Sequence, residues 1–357
     1  MKRLDDLKVM HQLDPSDMYG CIYDFPEHLE RAQEIGESWN LTEISGGQFQ
    51  NVTLVGMGGS AIGGDLARNL LAGSMKVPFA VCRNYRLPAY VGEKSFVIAA
   101  SYSGNTEETL AATADALERG ATVAALTTGG RLGEIAETRK TPHVILPAGL
   151  QPRAALAYSL APLLHLLERI GFVEGVTGAL DSAIKHLRKQ RACLAEESPA
   201  PGNTAKALAV TLEKKLPLVY AGPDLTESAA VRWRGQLSEN GKALAFSSTF
   251  PEMNHNELVG WSKSVRVFAD RLTVVLLRDE DDHERVKLRL DYFAELLNSD
   301  VGVSVNQVQS SGPNRLARLL SLVQLGDFVS YYVSALNRVD PTPVEPIEKL
   351  KRHLARV

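Results

Sequence analysis

The strongest constraint on this chain is a unit that recurs along it: a short apolar run, a polar or glycine-rich loop, then a helical pattern. Asn51 to Gly56 (NVTLVG) leads into GGSAIGGDLARNLLAG, and Ser95 to Ala100 (SFVIAA) leads through SYSGNT into EETLAATADALE. PFAVCR, ATVAALTT and PHVILPAG are further strand-like runs, with helical stretches such as RLGEIAETRK between several of them. Strands that are apolar on both faces need cover on both faces. The expectation is therefore an α/β fold with a parallel sheet flanked by helices.

The plan is used twice. KLPLVYAG followed by LTESAAVRWRGQLSE mirrors NVTLVG and its helix, and LTVVLLRDEDDHERVKLRLDYFAELL mirrors SFVIAASYSGNTEETLAATADALE. With 357 residues, 45% of them hydrophobic, the chain is long enough for two cores. The expected division is an N-terminal helical segment 1–45, a first domain 46–197, a link 198–204 (SPAPGNT), a second domain 205–340 and a C-terminal helix 341–357. A further amphipathic run is expected over 181–197.

Charge excludes some partners. The net charge is −3 and the 39 basic residues are scattered, so neither a nucleic-acid nor an anionic-membrane footprint is visible. The N-terminus is charged and lacks an apolar signal core, and no stretch approaches ~18 uninterrupted apolar residues, so a cytoplasmic location is expected. Cys21, Cys82 and Cys193 are far apart and lack metal-ligand spacing. They are expected as buried apolar fillers in a protein that needs no metal and no cofactor.

The two halves differ where SYSGNT in the first is replaced by RDEDDHE in the second. A loop that leaves a parallel strand and enters a helix offers free N–H groups and the positive end of the helix dipole. Ser101, Ser103, Asn105 and Thr106 add side-chain donors, and Gly104 lets the backbone come close to an anion such as a phosphate. On these residues alone, simple helix capping by Ser103, Asn105 or Thr106 is an equal alternative. A second loop, GMGGS at Gly56 to Ser60, tops a neighbouring strand, and such strand ends are where α/β sheets bind ligands. Gly56, Gly58 and Ala61 also fit G-x-G-x-x-A, and Arg83 closes the next strand where a cofactor 2′-phosphate could be met, so an NADP dehydrogenase is the competing reading.

Taken together, GMGGSAIGGDL, SYSGNTEETL, QPRAALAYSL, SENGKA and PEMNHNELVGW resemble the bifunctional phosphoglucose/phosphomannose isomerase family, which is built from two sugar isomerase (SIS) domains. The likeness runs from near the N-terminus to the final helix. It implies that Ser101, Ser103 and Thr106 bind a sugar phosphate, that Gly59 and Ser60 lie against the sugar, and that Pro152 and Arg153 close the reacting end. It also implies a homodimer with its active site at the subunit interface and the histidine supplied by the partner chain. The activity implied is isomerisation of glucose 6-phosphate and mannose 6-phosphate to fructose 6-phosphate through a cis-enediol.

Such a reaction needs a base, a group that opens the ring, and positive charge beside the enediolate. The resemblance makes Glu239, at the end of LTESAAVRWRGQLSE, the base; a carboxylate there is opposed by the helix dipole and could equally be solvated. His255 sits among amides and carboxylates expected to fix its tautomer, which suits ring opening. Arg153 enters an apolar helix at its positive end, a placement that calls for an anion nearby. In VDPTPVEPIEKLKRHL a cap at Thr342 and a proline after it are expected to start the terminal helix. The family's lysine in that helix maps to Lys351, with Lys349 as the other candidate; Val344 lies seven positions before the first and Thr342 seven before the second. A non-catalytic sugar-phosphate sensor is the alternative from another functional class.

Overall fold

The computed structural model describes residues 2–39, 41 and 44–356; the expected boundary between residues 45 and 46 adjoins residues 40, 42 and 43, which lie outside the described residues, as do residues 1 and 357. The chain opens with α1 (Leu7–Leu13), α2 (Met18–Tyr23) and α3 (Phe25–Ser38). The first α/β unit then follows: β1 (Asn51–Gly56), α4 (Gly58–Leu71), β2 (Phe79–Cys82), β3 (Ser95–Ser101), α5 (Glu107–Glu118), β4 (Thr122–Thr127), α6 (Gly130–Arg139) and β5 (His143–Ile145). Three helices, α7 (Leu156–Arg169), α8 (Val176–Leu194) and α9 (Thr204–Leu212), lead to the second unit. That unit comprises β6 (Leu216–Ala221), α10 (Thr226–Glu239), β7 (Phe246–Thr249), α11 (Glu257–Gly260), β8 (Leu272–Arg278), α12 (Glu284–Glu295), β9 (Ser304–Gln309) and α13 (Arg315–Asn337). The last helix is α14 (Glu345–Leu354).

Both sheets are parallel, in the orders β2-β1-β3-β4-β5 and β7-β6-β8-β9. The register is matched across the repeat: Gly56 pairs with Ala100 at the top of the first sheet, and Ala221 with Leu277 at the top of the second. Alternation along β3 shows why its run is apolar throughout. Phe96, Ile98 and Ala100 face the central core, while Val97 and Ala99 face α5 and α6 on the outside. The central core is shared by both halves, with Ile62 and Leu66 of α4, Leu160 and Leu163 of α7, Trp233 of α10 and Phe328 of α13 in one cluster.

Several expectations shift. The amphipathic run over 181–197 is α8, which starts five residues earlier, because Gly175 in a left-handed conformation opens it and Glu168 accepts from the N–H groups of Gly175 and Thr177. The link 198–204 is packed: Ala200 and Asn203 are buried, and Asn203 caps α9 by accepting from the Lys206 N–H at 3.0 Å. The terminal helix starts at Glu345 after Val344, with Pro346 in its first turn, so Thr342 is not its cap. Cys193 is exposed, and Cys21 and Cys82 are half-buried and pack against the edges of the cores, so none is fully buried. Among the described residues one helix, α13, is long and apolar enough by length and composition to cross a membrane, yet it is buried within the protein.

Candidate active site

β3 ends at Ser101, buried to 1% exposure, and α5 begins at Glu107. Thr106 occupies the N-cap position, but its side chain makes no capping bond; the Ser101 hydroxyl donates to Thr106 Oγ1 at 3.0 Å instead. The loop is therefore not explained by capping. Gly104 has φ +69°, and a Cβ there would stand 1.8 Å from the Gly129 carbonyl oxygen, so only glycine lets the β4–α6 turn close against the loop. Asn105 ties the loop together: its amide donates to Ser103 O at 3.2 Å and its carbonyl accepts from Arg131 N at 3.1 Å. Ser103 remains exposed. The hydroxyls of Ser101, Ser103 and Thr106 thus crown one strand end.

The second glycine-rich loop is joined to this one. The Tyr102 N–H donates to Ser60 Oγ at 3.1 Å, and a Cβ on Gly59 would come within 2.3 Å of the Pro152 carbonyl oxygen. Pro152 and Arg153 therefore rest directly on the start of α4. Arg83 is taken by the Asp65 carboxylate, which removes the cation that an NADP 2′-phosphate would need.

Arg153 turns away from α7 and crosses to the second half. It is buried; its Nε donates to Asn240 Oδ1 at 2.6 Å, and its Nη2 donates to the carbonyls of Pro341 and Thr342, each at 2.8 Å. Nη1 is left facing Glu239, with Oε2 3.6 Å away. Burial pulls the guanidinium below its ordinary pKa and the Glu239 carboxylate opposes the shift. Beneath it, Arg232 donates to the Arg153 carbonyl at 3.0 Å and is held by the buried Asp327 carboxylate at 2.7 Å.

Two expected residues stand apart. His255 is exposed, and among the described residues its imidazole has no hydrogen-bond partner. The polar neighbours expected to fix its tautomer are engaged elsewhere: Asn256 with Glu252 at 3.0 Å, Asn254 with Arg289 at 3.0 Å, and Glu257 with Tyr220. Lys351 lies on α14, every residue of which is exposed, and it is not brought to Arg153 or Glu239; Lys349 pairs with Glu345 at 3.6 Å. Thr342 does reach the cluster. Its carbonyl accepts from Arg153, and its hydroxyl oxygen is buried without a partner.

Sequence reasoning passed over Asn240, Lys242 and Asp327. The first two lie in the SENGKA segment, three residues or fewer beyond Glu239, where a helix end needs partners for its last carbonyls. Asp327 was signalled as the one acid of a long, largely apolar helix, a placement that burial tolerates only with a cation beside it.

Residues 202–354 match the family described as the bacterial phospho-glucose isomerase C-terminal SIS domain. A bifunctional phosphoglucose/phosphomannose isomerase of Caldicellulosiruptor bescii is 43% identical over 95% of this chain and 99% of its own length. One from Aquifex aeolicus is 36% identical over 86% of this chain and 91% of its own. Among solved structures, a glucose-6-phosphate isomerase like protein from Thermus thermophilus superposes with a TM-score of 0.63 at 21% identity, covering 99% of both chains, a likeness of fold.

Proposed function

The chain belongs to the bifunctional phosphoglucose/phosphomannose isomerase family, and from that premise we propose that it interconverts glucose 6-phosphate and mannose 6-phosphate with fructose 6-phosphate through a cis-enediol. The observation that carries the reading is the line of contacts from the hydroxyl loop to an acid and a cation. Ser60 bonds Tyr102, Gly59 abuts Pro152, and Arg153 Nη1 faces Glu239 at 3.6 Å. A sugar phosphate held by Ser101, Ser103 and Thr106, and lying along Gly59 and Ser60, would bring its first two carbons to the far end of that line.

There Glu239 takes the proton from the second carbon of the aldose and returns it to the first, while the proton of the second-carbon hydroxyl passes to the first-carbon oxygen, so the step is redox-neutral. Arg153 steadies the enediolate with the two N–H groups of Nη1, its other three donors being committed to protein oxygens. Pro152 shapes the reacting end, and Lys351, which in the single chain stands apart from Arg153 and Glu239, is assigned to add charge from α14 when the sugar phosphate is bound. The Thr342 hydroxyl, buried and unpartnered, is suited to meet the second-carbon hydroxyl in either configuration.

Ring opening falls to His255 of a partner chain in a homodimer with the site at the subunit interface. This reading is supported by the exposure of His255 and by the exposed apolar side chains of Leu244, Phe246 and Val259 on the segments around it. We further propose a cytoplasmic enzyme of glycolysis and gluconeogenesis. The test is an assay with fructose 6-phosphate that detects the two aldose phosphates separately, beside Glu239→Gln. Both aldoses form, and both vanish in the variant by at least about 100-fold. Binding without turnover in the unaltered chain would overturn the reading in favour of a sensor.

A further inference from the structure

Between Asn337 and the start of α14 the chain passes through the strap Asp340-Pro341-Thr342-Pro343. Its prolines carry no N–H, so neither can donate to a helix or a sheet, and the strap is held through its carbonyls. Three successive carbonyls each meet a cation. Arg153 Nη2 takes those of Pro341 and Thr342, and Lys242 Nζ takes those of Pro341 at 2.9 Å and Pro343 at 2.6 Å.

Lys242 also donates to the carbonyl of Glu239 at 2.5 Å, so its three ammonium protons have three acceptors. That carbonyl belongs to the unsatisfied last turn of α10, where the dipole opposes the Glu239 carboxylate. A cation placed there makes the position tenable for an acid. The arrangement is costly in itself. Lys242 stands at φ +51°, a left-handed conformation that is strained for a residue with a Cβ. Burial and the nearby Arg153 also pull its ammonium below the ordinary lysine pKa. Two like charges on one carbonyl and a strained backbone are not needed to hold a terminus in place. They are explained if the strap has to be set accurately against Glu239 and Arg153.

We propose that Lys242 is a positioning residue which latches the strap to the end of α10, and so sets the Thr342 hydroxyl and the root of α14 relative to Glu239 and Arg153. The inference rests on the isomerase reading above. It separates two parts of the site: the phosphate loop of the first half lies outside the latch, while the reacting end depends on it.

The experiment compares Lys242→Met and Lys242→Arg with the unaltered chain by hydrogen exchange and by steady-state isomerisation of fructose 6-phosphate. In Lys242→Met, exchange rises over residues 339–356 and stays unchanged in β1, β3 and their loops. The kcat falls roughly 10–100-fold, KM moves less than about threefold, and the ratio of the two aldose products shifts. Lys242→Arg, which keeps the charge and several donors, recovers part of kcat and of the protection. The proposal fails if kcat and the product ratio stay put, if KM rises as much as kcat falls, or if exchange rises throughout the chain. An unaltered chain that binds sugar phosphate and turns none over sinks the isomerase reading, and with it the role in the reaction. Local loss of protection in Lys242→Met would then still report the latch, so the two failures are told apart.

Discussion

The loop after β3 and the loop after β8 hold the same place in two copies of one plan, and they have opposite chemistry. The first presents hydroxyls at a strand end, with Ser60 bonded across to it from the neighbouring loop. The second carries its own anions. Asp279 accepts from Ser310 and from Arg318 Nε at 3.0 Å, and Arg318 also binds Glu280 at 2.6 Å and Asp281. Burial pushes the Asp279 carboxyl up, but Ser310 and Arg318 outweigh it and hold the group below its ordinary value. A crevice that could take a phosphate is thus closed by the protein's own carboxylates and the arginine that answers them. Under the proposed function the same backbone serves ligand binding in one half and structure in the other, because the difference lies in a handful of loop side chains.

If this contrast is right, breaking the second loop harms folding and spares binding. Arg318→Met leaves the buried Asp279 without its cation and should cost about 3–5 kcal/mol, read as a lower urea midpoint with KM for fructose 6-phosphate unchanged. Breaking the first loop has the converse signature. Ser101→Asp writes the second loop's chemistry into the first and should raise KM roughly 100-fold, about 2.7 kcal/mol. The mirror change Asp279→Asn should leave KM where it was.

The smallest expected effect concerns neither loop, and so serves as a control in the core that both halves share. Burial lowers the pKa of His28 and of His165, whose Nε2 has no partner. The unfolded chain then binds protons near the ordinary histidine pKa while the folded chain resists them. Stability should fall as pH drops below about 6.5, by no more than about 1.4 kcal/mol per pH unit for each group. Denaturation of His165→Leu from pH 7 to pH 5 should show a shallower slope.

Much of this was legible in the sequence for a physical reason. A strand buried on both faces must be apolar throughout, so NVTLVG, SFVIAA and their counterparts announced the parallel sheets, and the abrupt polar loops after them marked the strand ends where Ser60 meets the loop of Ser101 and Thr106. Side-chain pairing left weaker traces. Asn105 was read as a donor toward an anion or as a helix cap, whereas its carbonyl also ties the loop to the backbone of Arg131, 26 positions away, which no local pattern announces. The cage around Arg153 joins residues 153, 232, 240 and 341, which no local pattern links. Thr342 was read as a cap because Ser/Thr before proline often is one, whereas its carbonyl is engaged by Arg153 and the helix starts three residues on.

The central claim is that one half of the repeat binds the sugar phosphate and the other has filled its own crevice. Calorimetric titration of Glu239→Gln with fructose 6-phosphate tests it without turnover. One site per chain is expected, lost when Ser101→Asp is added and kept when Asp279→Asn is added, with thermal melts confirming that each variant is folded. Two sites per chain, or a single site that disappears with Asp279→Asn and survives Ser101→Asp, would contradict the account.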